Sequence, residues 1–279
     1  MKMVNDRDIV ASVFSDGNEH PANYFYHRKL NDPQFQHILP GPTEAVTCFS
    51  PLTDNEFLVG GRNATAKAAI VKYDLRSYAA TKFSTGTTQI TCLEKNPHNN
   101  LQFFAGNTGS TTIKLWDVRN TDKPVAELQG HKSYPVSISA TENQNSAYPH
   151  LVSIADQEEG YEPGLIWDFK NSAPVAKFTH SFGRPTIVRS LKNGTLALCA
   201  DCEDDIETFD LTTGEQLDTL HGSDYATCLS ELNNGDLITS AIAFVEFYKT
   251  KSKKIEDDDL EDIVATMVDA ADELAEIFW

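Results

Sequence analysis

One pattern restricts this chain more than any other. An apolar run ends in an aromatic residue and an acid, and it returns about every forty residues. Val71-Lys72-Tyr73-Asp74-Leu75-Arg76 and Lys114-Leu115-Trp116-Asp117-Val118-Arg119 share it. So do Leu165-Ile166-Trp167-Asp168-Phe169-Lys170 and Glu207-Thr208-Phe209-Asp210-Leu211, and Val245-Glu246-Phe247-Tyr248 is a weaker echo. Successive aromatic positions lie 43, 51, 42 and 38 residues apart. A period of this length marks a chain built from repeated supersecondary units.

A second signal runs in the same register. Val46-Thr47-Cys48-Phe49-Ser50, Ile90-Thr91-Cys92-Leu93-Glu94 and Ala226-Thr227-Cys228-Leu229-Ser230 are near copies. Val136-Ser137-Ile138-Ser139 and Ile187-Val188-Arg189-Ser190 fill the slots between them. Turn residues such as Lys192-Asn193-Gly194 and Asn233-Asn234-Gly235-Asp236 then lead into further apolar runs. Short β-rich runs between turn residues at this pitch predict antiparallel sheets of four strands per unit.

Here the residues resemble those of WD-repeat (WD40) β-propellers. The resemblance covers roughly residues 9–250, and it is clearest from Thr111 to Asp117 with Gly130-His131. It implies an all-β propeller in which Trp-Asp closes the third strand of each blade and Gly-His opens the next repeat. Tyr73, Asp74, Trp116, Asp117, Trp167, Asp168, Phe209 and Asp210 then form the repeat signature. Only Leu128-Gln129-Gly130-His131 keeps Gly-His as such; the other junctions depart from it. The family's buried hydrogen-bond set falls on His131, Ser153, Asp156 and Trp167, with Asp156 lying further before the Trp than is usual.

Residues 1–250 are expected to hold about six blades, with seven as the alternative count. Five repeats end their third strands near residues 73, 116, 167, 209 and 247. Ile9–Phe14, Asn23–Arg28 and Gln36–Leu39 supply another unit, whose inner strand is missing unless Met1–Val4 contributes it. The last unit lacks an outer strand. Unless a divergent strand lies within residues 1–30, the ring is then not closed in cis.

Residues 251–259 read as a charged linker and 260–279 as an acidic amphipathic helix. Leu260, Ile263, Val264, Met267, Val268, Ala271, Leu274, Ile277 and Phe278 recur at i, i+3, i+4 and i+7, followed by Trp279. Such a stripe docks either on the propeller or on a partner. Its acidic polar face argues against membrane-surface binding, which usually uses Lys and Arg.

The whole chain carries a net charge of −18, of which −10 belongs to residues 255–279. That balance argues against direct nucleic-acid binding, which depends on Lys and Arg. It favours protein partners with basic surfaces or peptides. Five cysteines do not suggest a disulfide framework. With no apolar leader and no run long enough to span a bilayer, the expected location is cytoplasmic or nuclear, without secretion or membrane insertion.

No phosphate loop, His-Glu-x-x-His or Gly-x-Ser-x-Gly motif occurs. Cys199 and Cys202 have Cys-x-x-Cys spacing but no second pair, and Asp201, Glu203, Asp204 and Asp205 read as a solvated acidic loop. No catalytic residue, metal or cofactor is expected. The leading expectation is a scaffold or adaptor within a multiprotein complex.

An alternative follows from Tyr73-Asp74-Leu75-Arg76 and Trp116-Asp117-Val118-Arg119. These are similar to the aromatic-Asp-x-Arg box of WD-repeat substrate receptors for cullin-RING ubiquitin ligases. In that case Arg76 and Arg119 contact the ligase adaptor; in the plainer reading they cap strand ends. A third possibility is an open propeller in a coat- or pore-type assembly, completed by a partner's strand.

Overall fold

Runs rich in Val, Ile, Phe and Thr, cut off by turns containing Asp, Asn and Gly, form six antiparallel sheets in this computed structural model. It describes residues 2–3, 8–13, 24–29, 37–40, 45–62, 70–86, 88–141, 151–156, 163–168, 172–180, 185–191, 195–200, 205–221, 228–232, 235–240 and 245–248. Side chains are described within these segments from 46 to 239, apart from 196–200.

Sheet A comprises β1 (Lys2–Met3), β2 (Asp8–Val13), β3 (Tyr24–Lys29) and β4 (His37–Pro40). Sheet B holds β5 (Ala45–Thr53), β6 (Glu56–Arg62), β7 (Ile70–Asp74) and β8 (Ala80–Phe83). Sheet C holds β9 (Ile90–Lys95), β10 (Gln102–Asn107), β11 (Ile113–Asp117) and β12 (Ala126–Leu128). Sheet D is β13 (Pro135–Ala140), β14 (Leu151–Ala155), β15 (Gly164–Asp168) and β16 (Ala173–Phe178). Sheet E is β17 (Pro185–Ser190), β18 (Thr195–Ala200), β19 (Asp205–Asp210) and β20 (Gln216–His221). Sheet F has β21 (Cys228–Glu231), β22 (Leu237–Ser240) and β23 (Val245–Tyr248).

Every sheet runs in chain order, each strand pairing with the next. In sheet A the inner strand comes from Lys2–Met3, which pairs Lys2 with Val10 and Met3 with Ile9. Among the described residues sheet F has three strands, and no helix is present. The C-terminal helix expected at 260–279 lies outside the described residues.

The sheets stack face on face. Their first strands β1, β5, β9, β13, β17 and β21 touch in chain order. Middle strands, covered on both sides, lose the alternation of a half-buried strand: all five residues of β14 are buried. Outer strands keep it, as in the exposed–intermediate pattern of β16 that ends on buried Phe178.

Alternate residues of one strand therefore enter different cores. Leu151 joins Leu165, Trp167, Phe104, Ile113 and Leu128 between sheets C and D. Its neighbour Val152 joins Ile154, Ile166, Phe178, Val188 and Phe209 between D and E. Between B and C, Leu58, Ile70 and Phe83 meet Ile90, Phe103 and Trp116.

In sheets C, D and E the recurring aromatic packs on the sheet before its own, whereas Tyr73 of sheet B stacks on Phe57 of the same sheet at 5.2 Å. Trp116 meets Phe83 edge-on at 5.8 Å between ring centroids, and Phe209 meets Phe178 at 5.0 Å. Trp167 lies against Leu128 in the same way.

The recurring acid ends the third strand and holds the turn beyond it. Asp74 Oδ1 accepts the N–H groups of Arg76 and Ser77 at 2.7 and 3.0 Å. Asp210 Oδ1 accepts those of Thr212 and Thr213 at 2.7 and 2.8 Å. Four residues past the acid the backbone turns left-handed, at Tyr78 (φ 56°), Ser172 (φ 52°) and Gly214 (φ 74°). Two of the three are not glycine and carry the cost of that conformation.

Where sheets converge, the second strand must be thin. A Cβ on Gly106 would stand 2.6 Å from Cys92 Sγ and 2.9 Å from Pro135 Cβ. Gly106→Val is expected to destabilise the fold by about 2 kcal/mol or more through overpacking. Ser172→Gly relieves left-handed strain and is expected to leave stability equal or raise it by up to about 1 kcal/mol. Urea unfolding midpoints of the two variants check both signs.

Candidate functional site

Five first strands face a common cavity of about 500 Å³. Its walls come from β5, β9, β13, β17 and β21. Because side chains alternate along each strand, every second residue points inward and the others enter the cores between sheets.

The wall hydroxyls join neighbouring sheets. Thr47 donates to the Ile90 carbonyl and Thr91 to the Pro135 carbonyl, one sheet further on in each case. Between sheets D and E the sense reverses: Ser137 Oγ accepts the Val188 N–H at 3.2 Å and Ser139 Oγ that of Ser190 at 3.0 Å.

Arg189 spans the cavity. Its Nε donates to the Leu229 carbonyl of sheet F at 3.2 Å. Its Nη1 lies 3.9 Å from Glu94 Oε2 of sheet C, with the whole of sheet D between them in sequence. The charged residues of the wall thus face each other.

The three matched cysteines differ by position. Cys92 is buried, and burial pushes its thiol up to about 12, the behaviour of a small hydrophobe. Cys48 is half-buried, whereas Cys228 is exposed at the cavity wall. Sheet F is the last stacked sheet described, so its first strand has less to cover it. Cys202 and the side chain of Cys199 lie outside the described residues, as do Asp201, Glu203 and Asp204.

The structure brings His131, Ser153 and Trp167 together. Ser153 Oγ lies 2.6 Å from His131 Nε2 and accepts the Trp167 Nε1–H at 2.7 Å, with all three side chains buried. Asp156 is buried too, its backbone N–H bonded to the Tyr134 carbonyl at 2.9 Å. This group ties the C–D junction to the middle strands of sheet D.

Sheet C carries the matching indole without the group. Ala105 stands where Ser153 stands, two positions after the residue that pairs with the Trp, and Gly86 stands where His131 does. Trp116 Nε1 is accordingly buried with no partner.

Arg76 and Arg119 sit at matching turns of adjacent sheets B and C, in different states. Arg119 grips Asp117: its Nε and Nη2 reach the two carboxylate oxygens at 2.8 and 2.6 Å, and its backbone N–H adds a third bond at 2.9 Å. This guanidinium holds the Asp117 carboxyl down to about 2. Asp74 is also lowered, first by the Ser77 N–H and then by that of Arg76. The Arg76 guanidinium is exposed and has no side-chain partner among the described residues. Asp168 ends β15 as Asp74, Asp117 and Asp210 end their own strands.

Leu260, Ile263, Val264, Met267, Leu274, Ile277, Phe278 and Trp279 lie outside the described residues. Among the described residues no three His, Cys, Asp or Glu converge in metal-binding geometry, and no helix is long and apolar enough to cross a membrane. Sequence reading missed the Glu94–Arg189 contact and the Thr47 and Thr91 bridges. The repeated Thr-Cys pair was the only visible signal for the latter.

No family model matches the chain. Over 78 residues it is 35% identical to Protein DSE1 of Candida albicans, a stretch that makes up 27% of this chain and 9% of that protein.

Ser153→Ala strips partners from two buried groups and is expected to cost about 2–4 kcal/mol. Ala105→Ser offers the Trp116 indole an acceptor and is expected to be neutral or stabilising by about 1 kcal/mol. Thermal or urea unfolding compares them.

A depressed carboxyl stabilises the fold above its unfolded value, about 3.9, and loses that contribution as pH falls toward about 2. Arg119→Ala is expected to raise the Asp117 value toward 3.9 and remove this part of the acid dependence. Arg76→Ala is expected to leave Asp74 lowered, since backbone amides hold it. Carboxyl titration by NMR between about pH 2 and 5 reads both.

Proposed function

We propose that this chain is a WD-repeat β-propeller that serves as a non-catalytic scaffold for other proteins. Six sheets stacked in chain order, five of them lining one cavity, with Trp167, Ser153 and His131 hydrogen-bonded at a sheet junction, support the family reading. The scaffold reading rests on the use of the cavity wall. Its hydroxyls bridge sheets and its charged residues pair across the axis, so the groups that could act on a ligand already hold the fold. Recognition then falls to the loops of the rim.

Protein partners with basic surfaces suit the net charge of −18. Cys48, Cys92 and Cys228, none of them in a disulfide, suit a cytoplasmic or nuclear setting. Arg76, exposed and without a side-chain partner among the described residues, is the better placed of the two turn arginines for an adaptor such as that of a ubiquitin ligase.

A second reading draws on sheet F, with its three described strands. In it a partner's strand pairs with β23 and completes the sheet.

Affinity capture of the full chain from its native cells, under gentle conditions, tests the scaffold role. One or a few proteins are expected in near-stoichiometric amounts, and recovering none counts against it. With Arg76→Glu and Arg119→Glu together, retained ligase adaptor would remove the ubiquitin-ligase alternative. Solubility that depends on coexpression with one partner would favour the completed-sheet reading.

A further inference from the structure

Among the described residues four large apolar side chains are exposed, and three of them share one register position. Leu101 is 37% exposed ahead of β10, whereas Val125, Val175 and Leu217 are 48%, 54% and 56% exposed. Each stands three residues before an apolar residue at the end of its sheet's outer strand: Leu128 and Phe178 are the last residues of β12 and β16, and Leu220 is the last but one of β20. Three consecutive sheets thus carry the same apolar position on their outer edge. In sheet B the same register position holds only Ala80. Isolated exposed Val or Leu needs no explanation, but a repeated register position forms a stripe.

Sheets D and E bring two of these residues into one region. A Cβ on Gly214 would stand 2.2 Å from the Lys177 carbonyl oxygen, so the turn entering β20 lies directly against β16. Val175 is two residues from Lys177, and Leu217 is three from Gly214.

We propose that this rim stripe, centred on Val175 and Leu217, is the docking site for the chain's own segment 260–279. The inference goes beyond the scaffold role, and it stands even if that role fails. Reach supports it. The segment follows Tyr248 of sheet F, and sheet F shares a core with sheet E, the sheet of Leu217. The intervening residues 249–259 span at most about 36–40 Å when extended, against stacked sheets about 10 Å apart. As a helix the segment would be about 30 Å long, enough to cross more than one outer edge. Tethering gives it a local concentration of order millimolar, so a small stripe is sufficient.

Charge makes the docking conditional. Residues 255–279 carry −10 and the rest of the chain −8. Glu215 and Asp218 flank Leu217, and Lys177 stands two residues from Val175. Apolar contact drives the docking and like charge opposes it, so salt is expected to tighten it by screening.

Hydrogen exchange on the full chain tests the proposal. Peptides from 260–279 are expected to exchange at least about tenfold faster in Val175→Asp/Leu217→Asp than in the natural protein, and faster at low than at high salt. Met267→Asp, which leaves the sheets untouched, is expected to free the same peptides. Both body positions are about half exposed, and unchanged unfolding midpoints would show that the double variant keeps its fold. Equal exchange in all three proteins would overturn the proposal, whether the segment is open or protected throughout. Protection that rises with protein concentration would overturn it too, since the segment would then be docking on a second copy.

Discussion

The structure depends on one contact made again and again: the aromatic just before the acid that ends a third strand presses on the last apolar residue of the sheet before it. Phe83 with Trp116, Leu128 with Trp167 and Phe178 with Phe209 are three instances. A single meander of four short strands has two apolar faces and little means of burying either. Each sheet here covers one face with its predecessor and the other with its successor. Stability therefore lies largely between sheets, and each aromatic contributes the most area at the widest part of the gap.

Stacking alone would give a straight pile, yet the first strands converge. Small residues thin the inner ends of the second strands, as Gly106 does against Cys92 and Pro135. Register shifts between Val46 and Cys48, Pro135 and Ser137, and Pro185 and Ile187 bend the first strands at matching places. Large aromatics outside and thin residues inside produce wedges, and wedges stacked in series curve. The cavity is the inside of that curve, and the Glu94–Arg189 contact crosses it.

Much of this was legible before any coordinates. The aromatic–acid period located the third strands because its aromatic must repeat with the sheet. Turn residues located many strand ends for the same reason. The His131, Ser153 and Trp167 group was readable because Gly130-His131 survives at that junction alone. The bridges of Thr47 and Thr91 were not, because a threonine in a strand is ordinary and its partner lies a whole repeat away. Arg189 looked like any polar residue in a divergent repeat. Its partner Glu94 became visible only once two non-adjacent sheets faced each other. The two states of the turn arginines were hidden too: Arg76 and Arg119 follow their acids at identical spacing, yet only Arg119 closes on its carboxylate.

The central claim is that the sheets curve about a shared axis, and a double-mutant cycle at Glu94 and Arg189 tests it most directly. Those residues belong to sheets C and E, which a flat stack would hold about 20 Å apart with sheet D between them. Unfolding free energies of Glu94→Ala, Arg189→Ala and the double variant give the coupling. A curved stack predicts about 0.5–1 kcal/mol, the size of a partly exposed ion pair. Effects that add to within about 0.3 kcal/mol would contradict it.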